Sequence, residues 1–426
     1  MTTEEYHFMN YQYRSLPDWF YQAYQMTNSW LNLDSKFLQQ IPYQDWFNYQ
    51  PIDQERPETT LTYAPEAAIV EERFATQMVQ TAQGSLLESM NQVAHDQGLI
   101  VMDLFEALEK YPDLVQPHLF SLIDPQEDKV AAYNLNQLDG GIFVYVPDYQ
   151  VIDQPIELTW LQDNQADFPF NQRLLVILGQ ESQLTLIERT ESIGQENNSA
   201  TIMAELIVGQ GAQLDYVIFD RLGKESSNYI RRYLKTDRDA RIQVNAAAMN
   251  DGDSVLDLQA ELKGTGSQCQ LASITVGDGQ QRQGINAKII NQAPHTIGNI
   301  IQHGVALEAS TVTFNGIGHI NKAAKQADSQ QESRIMMLSD QAKGDANPIL
   351  LIDEYEVQAG HAASIGRVDA EQLYYLMSRG LNRRQAEYLV IRGFLGQVFA
   401  NIEDTDLRKQ LLESLDHKLS SYQVMS

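Results

Sequence analysis

One cysteine, Cys269, serves the whole 426-residue chain. A single thiol closes no internal disulfide and builds no metal centre from clustered thiolates. The chain also lacks an apolar run of the roughly 20 residues that a membrane helix needs, and no apolar signal segment follows Met1. A cytoplasmic, reducing location without a membrane partner is therefore expected. No Gly-rich loop ends in Lys-Ser or Lys-Thr, and no Gly-x-Gly-x-x-Gly follows an opening strand, so nucleotide binding is not expected. None of the eight histidines forms a His-Glu-x-x-His zinc motif. Basic residues are scarce, 30 against 57 acidic ones for a formal charge of -27. Such a body repels phosphate backbones and argues against nucleic acid as the main ligand.

What is present is a repeat. Gly179-Gln180-Glu181-Ser182-Gln183-Leu184 and Gly209-Gln210-Gly211-Ala212-Gln213-Leu214 share one pattern, a turn followed by apolar alternation. Asp239-Ala240-Arg241-Ile242-Gln243-Val244 and Gly266-Ser267-Gln268-Cys269-Gln270-Leu271 keep its phase. Leu184, Leu214, Ile242 and Cys269 thus occupy equivalent places, at intervals of 30, 28 and 27. Ala309-Ser310-Thr311-Val312-Thr313-Phe314 is read as a later line of the same series. Stacked strands of this kind bury their inward apolar residues in one continuous core and turn Gln, Thr, Arg and Asp to water. An antiparallel sandwich with strands after Gly-rich turns is the alternative.

The fold class expected is mainly β: a β-helix core of stacked coils over residues 136–360, between a mainly helical N-terminal region, 1–135, and a C-terminal helical domain, 361–426. Tyr6, Phe8, Tyr11, Tyr13, Trp19, Phe20, Tyr21, Tyr24, Trp30, Trp46, Phe47 and Tyr49 crowd the first 50 residues and read as a cover for one end of the core. Pro51, Pro57 and Pro65 mark an extended arm. Helical periodicity is read in Phe74, Met78, Leu86, Leu87, Met90, Val93 and Ala94, and again in Met102, Leu104, Phe105 and Leu108. Strand alternation begins near Gly141, and Asn321–Ser333 reads as a less ordered excursion. Asp369 with Gln372 has capping-box spacing, Gly380 ends that helix, and Asn382 caps the next. Leu407, Leu411, Leu415 and Leu419 give the last helix an apolar stripe. Charge divides along the same lines, since residues 361–426 carry 8 acidic and 8 basic groups while everything before is acidic.

Few side chains offer chemistry. Cys269, by its register, is a buried core residue. His295, His303 and His319 lie on nearby strand segments and read as satisfied or surface imidazoles. His361 is set apart by its position after Gly360 and close behind Asp353, Glu354 and Glu356, carboxylates that favour a protonated or metal-bound imidazole if they face it. His361 is accordingly the one candidate metal ligand.

The stretch Pro348-Ile349-Leu350-Leu351-Ile352, followed by Gly360-His361-Ala362-Ala363-Ser364-Ile365-Gly366-Arg367 and Asp369-Ala370-Glu371-Gln372-Leu373-Tyr374-Tyr375-Leu376-Met377-Ser378-Arg379-Gly380, resembles the C-terminal signature of the SufB/SufD family of iron-sulfur cluster assembly proteins. Leu262-Lys263-Gly264-Thr265-Gly266, His295-Thr296, Phe314-Asn315-Gly316, Leu338-Ser339-Asp340, Ala386-Glu387 and Gly393-Phe394 fit it as well, and the scarcity of cysteine favours the SufD branch. The resemblance implies a non-catalytic scaffold subunit of a SufB-SufC-SufD complex. It implies pairing with a SufB-like protein through the β-helix, and binding of a SufC-like ATPase by the C-terminal helices. It implies no cofactor bound stably by the isolated chain, only an iron-sulfur cluster assembled transiently in the complex, with His361 contributing at the SufB interface. Family members often carry a cysteine two residues before this histidine, where this chain has Ala359. Alanine supplies neither a soft thiolate ligand nor a sulfur carrier. Two other functions stay open: a β-helix carbohydrate enzyme using paired carboxylates such as Asp251 and Asp253, and a homodimeric structural protein joined through exposed coil edges.

Overall fold

Turns of a constant geometry stack the chain into coils. A residue in the left-handed region recurs at Tyr149, Glu181, Gly211, Asp239, Gly266, His295 and Gln326. Each donates its N–H to a carbonyl of the following coil: Tyr149 to Gln180, Glu181 to Gln210, Gly211 to Arg238, Asp239 to Thr265, Gly266 to Pro294, His295 to Lys325 and Gln326 to Glu356. The repeat seen in the sequence is this turn, with its coils held by a hydrogen-bonded ladder. His295 is therefore a turn residue. The left-handed conformation costs a side-chain-bearing residue about 1–2 kcal/mol, so Gly211→Ala is expected to destabilise by roughly that amount, while Glu181→Gly relieves part of it. Urea midpoints at constant m-value check the pair.

The computed structural model describes residues 16–46, 73–165, 168–194, 196–224, 226–400, 402 and 404–424. Each coil contributes one strand to each of two sheets, ten-stranded and nine-stranded among the described residues. Pairing within the sheets is parallel along the coils. At the N-terminal end alone it is antiparallel, where Thr76–Thr81 pairs with Gly84–Met90 in one sheet and Ile100–Asp103 with Gly140–Val146 in the other. Leu184, Leu214, Ile242 and Cys269 are in register in the ten-stranded sheet. Their column continues through Gly298, Ser329 and Ala359. Ala309–Phe314 does not extend it, because the strand Thr311–Ile320 belongs to the opposite sheet. Both sheets present alternating apolar residues inward, so sequence character alone did not separate them.

Helical cover lies on both outer faces. On the nine-stranded sheet, the helix Asp18–Met26 and the segment after it pack their aromatics edge-on: Phe20 on Phe105, Trp30 on Tyr133, and Tyr43 on Tyr229. Tyr6, Phe8, Tyr11, Tyr13, Phe47, Tyr49 and the three prolines of the arm lie outside the described residues. The final helix, Thr405–Val424, covers the ten-stranded sheet, with Leu407, Leu411, Leu415 and Leu419 buried among Ile187, Val217, Phe219, Ala247 and Ile274.

Three expectations of local structure are corrected. Residues 74–90 form the hairpin Thr76–Thr81 and Gly84–Met90, with a helix only at Gln92–Asp96. Phe74 and Met78 fit the spacing of either element, and the turn at Gly84, φ 117°, decides for the hairpin. The excursion expected at Asn321–Ser333 ends in a regular strand, Asp328–Met337, whose inward Ser329, Gln331 and Ser333 are polar yet buried. The last strand, Gln358–Arg367, carries the sheet past residue 360, and three strands lie before residue 135. Neither sheet therefore stops at the compositional boundaries.

Candidate functional site

The two ends of the coil stack differ. At the N-terminal end each sheet finishes in an antiparallel pair, with Gly84–Met90 and Ile100–Asp103 as its edge strands. At the other end, Lys343–Ile352 terminates one sheet and Gln358–Arg367 the other, each with a strand partner on one side only among the described residues. Leu351, Ile352 and Ile365 are more than 40% exposed there, and Tyr355, in the connecting turn, is 99% exposed.

His361 sits on this last strand, opposite Gln331 in the register of the adjacent strand. Gln331 is an inward residue, 4% exposed, and same-face side chains stack at in-register positions of neighbouring strands. His361 therefore occupies the interior column Leu271–Ile300–Gln331–His361, and it is exposed because no further coil among the described residues covers it. The interior beneath is polar. Ser333 donates to Gln302 Oε1 at 3.0 Å, and Gln331 Nε2 to the Ile349 carbonyl at 3.1 Å. Gly316 and Gly318 on the facing strand make room for these amides, since a Cβ at Gly318 would stand 2.6 Å from Gln331 Nε2.

The carboxylates expected to face His361 are engaged elsewhere. Asp353 meets His319 Nε2 at 3.2 Å, Glu354 accepts the Ala323 N–H at 3.0 Å, and Glu356 lies 3.5 Å from the Lys325 ammonium. The backbone N–H groups of Tyr355 and Ala323 hold the Glu354 carboxyl below its usual range. Cys269 lies in the column that ends at Ala359, three strand spacings below it, or about 14 Å. Full burial pushes its thiol far above the ordinary range. It supplies no thiolate to the open coil.

The remaining candidates are dispersed. His303 is buried between Glu332, 2.8 Å from Nε2, and the ring of Phe394, stacked at 4.8 Å, tying the helix Arg383–Gly396 to the coils. His319 lies on the other sheet. Asp251 accepts the Lys418 ammonium at 2.6 Å, and Asp253 pairs with Arg282 Nη2, so the pair considered for glycan hydrolysis is bound up in structural contacts. Among the described residues, no group of three or more His, Cys, Asp or Glu side chains converges as a metal site. No described helix is long and apolar enough to cross a membrane.

A second exposed feature lies beyond the sheet. Asp369 caps the helix Ala370–Ser378 by accepting the Glu371 N–H, without the reciprocal bond of a capping box. Gly380, φ 99°, follows its end, and Asn382 with Gln385 forms a capping box on the next helix. Tyr374, Tyr375, Met377 and Leu389 project from these two helices into solvent. The sequence pattern identified the helices but not this patch, because a single amphipathic stripe does not reveal which apolar residues find partners.

Comparison with known proteins matches most of the described chain to one family. The family description "SUF system FeS cluster assembly, SufBD core domain" matches residues 161–394, and "SufBD protein N-terminal region" matches residues 68–158. The iron-sulfur cluster assembly protein SufD of Bacillus subtilis is 35% identical over 353 residues, 82% of this chain and 80% of that protein. SufB of the same organism is 25% identical over 308 residues, 72% of this chain and 66% of that protein. A SufBD family protein of Staphylococcus epidermidis is 24% identical over the same shares of each chain. By core, N-terminal region and similarity over 82% of its length together, the chain belongs to the SufB/SufD family of iron-sulfur cluster assembly proteins, on the SufD side of it.

Proposed function

We propose that this chain is a non-catalytic scaffold subunit that lends its open coil to a SufB-like protein and its C-terminal helices to a SufC-like ATPase. The observation that carries the reading is the C-terminal end of the coil stack, where two parallel strands each keep one free edge among the described residues and expose Leu351, Ile352 and Ile365. Unpaired strand edges carrying exposed apolar residues are normally covered by a partner. An incoming coil would enclose His361 and supply the soft ligands that Ala359 and the buried Cys269 do not. The iron-sulfur cluster is then cargo at a shared boundary, with one imidazole from this chain. The aromatic patch around Tyr374 and Tyr375 has the composition of a protein-binding anchor, and it suits an ATPase whose closure moves these helices.

Co-expression with SufB-like and SufC-like proteins is expected to yield a complex of all three. Replacing Tyr374 and Tyr375 with Ser is expected to release only the ATPase. His361→Ala is expected to leave assembly intact and lower the yield of reconstituted cluster, read by visible absorbance and acid-labile sulfide. An unchanged yield in an intact complex removes the metal role of His361.

A further inference from the structure

The outer face of the ten-stranded sheet carries a groove beside the start of the last helix, with a volume of about 470 Å³. Its floor is an in-register row of outward positions on five adjacent strands: Thr185, Asp215, Gln243, Gln270 and Asn299. Four strand spacings make this row about 19 Å long. Ile402 and Leu407 wall one side. Asn245, two residues beyond Gln243 on the same strand, also lines the groove and is 3% exposed, standing between outward Val217 and Ala272. Its side-chain carbonyl is buried without a hydrogen-bond partner among the described residues, and so is that of Asn299. Buried amide oxygens are otherwise almost always bonded, so two orphans in one groove point to a ligand.

The lining selects the chemistry of that ligand. Carboxamides present a donor and an acceptor side by side and carry no charge. The adjacent helix start does not make an anion site of the groove, because Asp404 already accepts the N–H groups of Asp406 and Leu407, at 2.8 and 3.0 Å. In an extended polypeptide the N–H and C=O of one residue point to the same side, so a single carboxamide can bond both. Such a chain advances about 3.4 Å per residue, and the row accommodates about five or six residues. No aromatic ring lines the groove for a sugar to stack on, whereas Ile402 and Leu407 suit an aliphatic side chain. We propose that this groove binds an extended, uncharged peptide segment of a partner protein, its main chain bonded by Gln243, Gln270, Asn299 and Asn245. No residue of the lining belongs to the last strand or to the patch around Tyr374 and Tyr375, so the proposal stands apart from the function argued above.

The full-length chain, labelled with nitrogen-15 in its Asn and Gln side chains, is titrated by NMR with an equimolar pool of capped hexapeptides, each bearing one Leu or Val among Gly, Ser and Thr. The side-chain amide signals of Asn245, Gln270 and Asn299 are expected to shift saturably. Gln270→Leu combined with Asn299→Leu removes two bonding groups at nearly constant size, and is expected to weaken binding by about tenfold or more. Absence of a saturable shift, as in a groove that holds only solvent, would overturn the proposal. So would undiminished binding by the double variant, or a response of the same signals to maltotriose at lower concentration than to the peptides. Should the double variant misfold, the titration of the unmodified chain still decides, since peptide binding elsewhere leaves these three signals in place.

Discussion

Glu188→Ala is expected to lower the stability of the coil stack by about 3–5 kcal/mol, the cost of leaving a buried charge unpaired. Glu188 and Arg232 face each other in the interior with both side chains fully buried. The carboxylate also takes the Trp160 indole N–H at 2.7 Å, Arg232 Nε at 3.0 Å and the Tyr216 hydroxyl. Arg232 Nη1 donates to the Ile202 carbonyl at 2.7 Å. Burial works against the guanidinium charge, and the Glu188 carboxylate more than offsets it, so Arg232 remains a cation. Burial and the same carboxylate together push the Tyr216 hydroxyl far up, keeping it a neutral donor. Removing Glu188 leaves three donors and a positive charge in a dry core. The double change Glu188→Leu with Arg232→Met removes the charge and its partner together, and is expected to recover most of the loss. Urea unfolding of the two variants checks this; equal destabilisation by both would show that shape rather than charge is at stake.

Leu415→Ala is expected to cost about 2–5 kcal/mol and to loosen the last helix before the coils unfold. Leu411 and Leu415 are fully buried where Thr405–Val424 crosses the outer face of the ten-stranded sheet. That helix holds few other anchors as strong. Lys418 is one, its ammonium bonded to the Asn250 carbonyl at 2.7 Å, Asp251 at 2.6 Å and Gln281 Oε1 at 3.0 Å. Tyr388 and Arg392 of the preceding helix both bond Asp416, so the two helices are coupled to each other as well as to the coils. Amide exchange in Leu415→Ala is expected to rise across residues 405–424 and 383–396 while the strand amides stay protected. A single cooperative loss of all protection would show that the helices and coils form one unit. The consequence bears on the proposed ATPase contact, because the exposed aromatic patch is carried by helices packed with this one.

The stacked coils were legible in the sequence because turns and strands repeat in phase, and a column of inward residues must stay apolar where a coil covers it. Leu184, Leu214, Ile242 and Cys269 show that rule, and their register is the one found. The helix starts at Asp369 and Asn382 and the Leu407–Leu419 stripe were legible for equally local reasons. Residues 74–90 were misread because the strand Thr76–Thr81, buried along its whole length, loses its period of two. The strand after Asn321 was missed because its inward residues are Ser and Gln, accommodated by Gly316 and Gly318 on another strand. His361 was singled out by a resemblance, and its expected carboxylate neighbours serve His319, Lys325 and a turn backbone instead.

By itself, then, the sequence determined the class of fold, the order of its parts and the absence of thiolate ligands beyond Cys269, since these follow from composition and local periodicity. Tertiary structure alone decided which strands end the stack, and that His361 continues a buried column rather than facing acids. Those properties depend on pairing between strands distant in the chain, where a register shift of one residue would move His361 from the interior column to the outer face.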